Sequence, residues 1–85
     1  MANSLHTKTY ASLVSVLLQA RSEAGLTQQQ LAEILGKPQS FVAKIEGSER
    51  RLDVAEFVQY ARALNKSPIG LLQSYLDRLD QIETD

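Results

Sequence analysis

Cysteine is absent from this 85-residue chain, and histidine occurs once. Without cysteine there is no disulfide framework and no thiolate metal site, a composition that suits a reducing cytoplasm. The lone His6 has no companion at catalytic or metal-ligating spacing, so it is assigned no role. No apolar run approaches the ~20 residues that span a bilayer, and the opening MANSLHTKTY lacks the basic-then-apolar order of a secretory signal. A cytoplasmic protein with no membrane partner is expected. The chain also lacks a Ser-His-Asp arrangement, a phosphate-binding glycine loop and a ligand cluster, so no enzyme activity, metal or cofactor is expected. Alternating strand patterns, internal repeats and low-complexity segments are missing as well.

What the chain does contain is helical punctuation. Thr27 and Gln30 form a capping box, which starts a helix at Gln28. Leu31, Ile34 and Leu35 follow at i, i+3 and i+4 with small Ala32 beside them, and Gly36 ends the helix with Pro38 close behind. A second short helix runs from Pro38 or Gln39 to Glu46, with Val42 and Ile45 on its buried side. Opposite them lie Ser40, Ala43 and Lys44, flanked by Gln39 and Phe41. A solvated helix usually carries Glu and Lys pairs, whereas this outward face is small and polar, suited to base edges or phosphates in a major groove.

The rest reads in the same way. Tyr10, Leu13, Val14, Leu17 and Ala20 or Arg21 give a first helix from Thr9 to near Gly25, with Ser12 and Gln19 outside. Asp53 and Glu56 form a second capping box, opening a fourth helix with Val54, Phe57, Val58, Ala61 and Leu64 inside and Asn65 at its end. Ser67 and Pro68 open a fifth, with Ile69, Leu72, Leu76 and Leu79 on its apolar side and Leu71 and Tyr75 adjoining. The expected fold is an all-α, compact five-helix bundle, divided into an arm (1–8), a helix-turn-helix domain (9–79) and an acidic tail (80–85).

Net charge is −1, unhelpful at first sight for a partner made of phosphates. Its distribution matters more. From residue 77 onward, four carboxylates against Arg78 give −3, which leaves +2 for the remainder. Lys37, Lys44, Arg50 and Arg51 gather on the third helix and the loop beyond it, opposed by Glu46 and Glu49.

From Leu26 to about Leu72 the chain resembles the lambda-repressor and Cro class, the XRE family, whose pattern LTQ..LA..LG.....V..IE is met by Thr27, Gln28, Leu31, Ala32, Leu35, Gly36, Val42, Ile45 and Glu46. The resemblance implies a lambda repressor-like fold and a regulator of transcription, a repressor by expectation, binding a palindromic operator in double-stranded DNA as a homodimer. Gln39, Ser40 and Lys44 would read bases, with Phe41 either touching a thymine methyl or packing at the core's rim. Gln28, Lys37, Arg50 and Arg51 would meet phosphates. The family also implies an ion pair between Arg21 and Glu46. Two-fold half-sites about 34 Å apart call for a self-complementary contact, assigned to Leu72, Tyr75, Leu76 and Leu79. The pattern departs at Pro38, where a Ser or Thr cap is usual. An antitoxin or adaptor of the same fold, with a partner protein as its main target, is the other reading.

Overall fold

The computed structural model describes residues 7–82; His6, most of the expected arm and the end of the expected tail lie outside the described residues. Five helices follow one another, α1 (Lys8–Glu23), α2 (Gln28–Leu35), α3 (Gln39–Glu46), α4 (Val54–Ala63) and α5 (Pro68–Ile82), with no strand among the described residues. The fold is the all-α five-helix bundle that the sequence leads one to expect. Two boundaries differ from expectation: α1 starts at Lys8, inside the stretch read as arm, and α5 keeps Asp80 within the helix.

Local chemistry explains the helix ends. Thr7 Oγ1 accepts from the Tyr10 N–H at 3.1 Å and caps α1. Both capping boxes form, Thr27 with Gln30 on α2 and Asp53 with Glu56 on α4. Gly36 ends α2 in the left-handed region at φ 70°, donating to the carbonyls of Ala32 and Glu33, and the Lys37 N–H closes the turn on Ala32 O at 2.9 Å. Asn65 takes the left-handed place just beyond α4, at φ 60°. Pro38 stands at the N-cap of α3 without a side-chain cap bond, so α3 begins at Gln39.

The core is built where α1, α2, α3 and α4 meet. Leu17, Leu31, Val42, Ile45 and Tyr60 are fully buried there, the four aliphatic side chains each worth roughly 1.5–3 kcal/mol of removed apolar surface. α5 lies along α1 and closes the bundle through Leu71 and the partly buried Tyr75.

The structure departs from the sequence reading at several positions. Ser12, placed outside, is buried, as is Val16, because α5 covers a second side of α1 and widens its buried arc. Ile34 is 57% exposed and Val54 81% exposed, each at the solvent edge of a short helix whose neighbours fill the core without it. On α5 the inner face is Leu71 and Tyr75, whereas Ile69, Leu72 and Leu76 face solvent.

Candidate nucleic-acid interface

The surface centres on α3. Val42 and Ile45 anchor it to the core, and at ~100° per residue this turns Gln39, Ser40 and Lys44 outward, where all three are exposed. Half-buried Phe41 falls outside that arc. Its ring packs against the core and lies under the Arg50 guanidinium, 4.7 Å from the ring centroid, with Lys37 Nζ at 5.5 Å. Of the two roles expected for Phe41, packing at the rim is the one its surroundings support.

A chain of hydrogen bonds ties the outward face to the interior. Gln39 Nε2 donates to Gln28 Oε1 at 2.7 Å, and Gln28 Nε2 donates to Glu46 Oε1 at 2.8 Å. Arg21 meets the same carboxylate bidentately, Nε to Oε2 at 2.6 Å and Nη2 to Oε1 at 2.9 Å, and Nη1 donates to Leu26 O at 2.8 Å. The Glu46 side chain is only 4% exposed, and its hydrogen bond raises the Arg21 guanidinium pKa above its ordinary value. Charge-assisted bonds of this kind are stronger than neutral ones and fix geometry. The Arg21–Glu46 pair therefore locks α1 to α3, and Gln28 transmits that rigidity to Gln39.

The loop after α3 is held from three directions. Tyr10 Oη donates to Arg50 O at 2.8 Å, and Arg50 grips Glu56 through Nη1 and Nη2, both at 2.9 Å. Arg50 Nη1 also donates to Arg51 O at 2.9 Å, and the Arg51 guanidinium lies 4.8 Å from the Tyr10 ring centroid. This changes the reading of Arg50. It is paired with Glu56 and its plane is laid on Phe41, so it fastens the loop to α4. Lys37, Lys44 and Arg51 are the exposed cations of this surface.

A family profile described as helix-turn-helix matches residues 17–71. Among solved structures, an XRE-family like protein from Pseudomonas syringae pv. tomato str. DC3000 is 47% identical, with 88% of this chain and 92% of that one covered at a TM-score of 0.80. The chain belongs to the XRE family of helix-turn-helix proteins. The restriction-modification controller C.AhdI from Aeromonas hydrophila is 27% identical over 73% of this chain and 94% of its own, at a TM-score of 0.67. The controller C.Esp1396I, solved as a tetramer in complex with its natural 35 base-pair operator, shares the fold at 19% identity and a TM-score of 0.78, covering 85% of this chain and 95% of that one. No curated protein matches.

Within this XRE-family bundle, sequence reasoning assigned Gln28 and Gln39 to separate tasks and missed that they touch. The signal was available: each is the first residue of one of two consecutive helices joined by a three-residue turn. Tyr10 and Glu56 were read as core and cap only, and their hold on Arg50 spans 40 and six residues, spacings that no helical rule selects. Tyr75, assigned to a partner subunit, instead packs on the core and donates from Oη to Thr9 O at 3.0 Å. Leu79 is half-buried, while Leu72 and Leu76 are each 44% exposed and Ile69 81%. Among the described residues no helix is long and apolar enough to cross a membrane, and no group of His, Asp or Glu could hold a metal ion.

Proposed function

We propose that this protein is a DNA-binding regulator of transcription, a repressor that reads a palindromic operator as a homodimer by laying α3 in the major groove. The observation that carries this reading is the bonded series Gln39–Gln28–Glu46–Arg21, which braces the first side chain of an otherwise exposed polar helix face. With one amide hydrogen given to Gln28, Gln39 still has a second N–H and its carbonyl oxygen. These are the donor and acceptor that adenine N7 and N6 require in a bidentate contact. Ser40 is adaptable, and Lys44 reaches guanine acceptors.

Phosphates are the targets of Lys37 and Arg51, and of the remaining amide hydrogen on Gln28 beside the positive end of α2. C.Esp1396I, a controller of the same fold, was solved in complex with operator DNA, which is consistent with a duplex as the partner. The dimer contact is the stripe Ile69, Leu72 and Leu76, spaced i, i+3 and i+7 on the face of α5 turned away from Leu71.

Selection of bound sequences from random duplexes tests the proposal. A palindrome with two half-sites about one helical turn apart is expected. Gln39→Ala and Lys44→Ala should each lower specific affinity by about 1–3 kcal/mol and relax the preference at one position of each half-site. Unchanged operator binding by both folded variants would overturn the assignment of α3, and capture of a partner protein with no duplex affinity would favour the adaptor reading.

A further inference from the structure

Between the C-terminal half of α1 and the start of α5 lies a groove of about 370 Å³ to which no residue of α2 or α3 contributes. Its floor is apolar, made by Val16, Ala20 and Leu71. Its volume lies at the lower end of ligand-site sizes, which selects a compact occupant. Gly70 and Ser74 on α5 put little bulk into it, and a Cβ added at Gly70 would meet only Ser67, at an ordinary 3.6 Å.

The rim is unevenly paired. Glu23 is satisfied on both oxygens, by Lys66 Nζ at 2.9 Å and Gln19 Nε2 at 3.1 Å. Arg78, half-buried on the opposite lip, makes one hydrogen bond among the described residues, Nη2 to the neutral amide oxygen of Gln19 at 3.4 Å. Among the described residues no carboxylate lies within ion-pair distance of it. A guanidinium offers five donors in a planar fork matched to a carboxylate, and most of these are unspent. Lys66 and Arg78 against Glu23 give the rim one net positive charge, and Glu23 opposes a dianion.

We propose that this groove binds a small monocarboxylate with a short apolar body, the carboxylate held by the fork of Arg78 and the body laid on Val16, Ala20 and Leu71. The site stands independently of the DNA reading. The full-length, isotope-labelled protein is titrated with butyrate and benzoate, with butyramide and inorganic phosphate alongside, while backbone amides are followed by NMR.

The expected result is a saturable shift at Gln19, Ala20, Gly70 and Ser74 with the two carboxylates and none with the amide or phosphate. Arg78→Gln should weaken it roughly tenfold or more, as loss of a charge-assisted hydrogen-bond pair requires, and Ser74→Leu should block the groove. Both variants are checked for an unchanged Tm. Absence of saturation, equal binding of phosphate, or undiminished binding by folded Arg78→Gln overturns the proposal. So do shifts at these amides on concentrating the protein alone that vanish in Glu83→Gln/Asp85→Asn, since a second copy's carboxylates would then be the occupant.

Discussion

Three donors converge on the carboxylate of Glu46, two from Arg21 and one from Gln28. Removing that carboxylate strands a guanidinium whose side chain is only 18% exposed, so Glu46→Ala should cost roughly 3 kcal/mol in urea unfolding. A loss below ~1 kcal/mol would show that solvent takes over the pairing. Tyr60 presents the opposite case. Fully buried, its hydroxyl has no hydrogen-bond partner among the described residues, and burial pushes its pKa well up. Deleting an unsatisfied buried donor relieves a desolvation cost on the order of 1 kcal/mol or more, so Tyr60→Phe should raise Tm by roughly 4–8 °C. A fall in Tm would mean that the hydroxyl is bonded in solution. Neither behaviour follows from periodicity: Tyr60 lies four residues before Leu64 on α4's buried side, and only the assembled fold leaves its oxygen alone.

At the scale of the element, the loop between α3 and α4 has no regular structure, yet it is fixed by Tyr10, Phe41 and Glu56 acting on Arg50. The Arg50 guanidinium holds the Glu56 carboxyl below the usual carboxylate range, aided by the Asp53 N–H. With the folded value below the unfolded one, the pair stabilises the protein above the ordinary Glu value near 4.3 and loses that contribution as pH falls through the lowered folded value. Unfolding followed between about pH 6 and 3 should therefore show a shallower acid limb in Glu56→Gln than in the parent. Identical limbs would place the acid sensitivity elsewhere. Elements closed by local chemistry were legible in the sequence: the Thr27 and Asp53 boxes and the Gly36 turn all lie within five residues of what they bond. The face of α5 was not. A helix rich in leucine offers two candidate stripes, and only the approach of α1, taking Leu71 and Tyr75, decides which one goes inside.

For the molecule as a whole, that choice leaves Ile69, Leu72 and Leu76 on the outside. Single exposed apolar residues are ordinary, but three at helical spacing on one face offer a surface for cover. Sedimentation should find the parent protein dimeric, and Leu72→Lys/Leu76→Lys monomeric with an intact circular dichroism spectrum. On the proposed operator the variant should bind more weakly, since two half-sites no longer act together. A monomer at every concentration of the parent, on and off DNA, would remove the two-fold arrangement. The bracing of Gln39 has one more consequence. A free glutamine samples many rotamers, and a groove that captured it would have to freeze them at the moment of contact. Here the bond to Gln28 narrows them when the chain folds, so in the proposed complex the side chain would reach the duplex as a stiff tooth whose bite is set by an arginine on another helix.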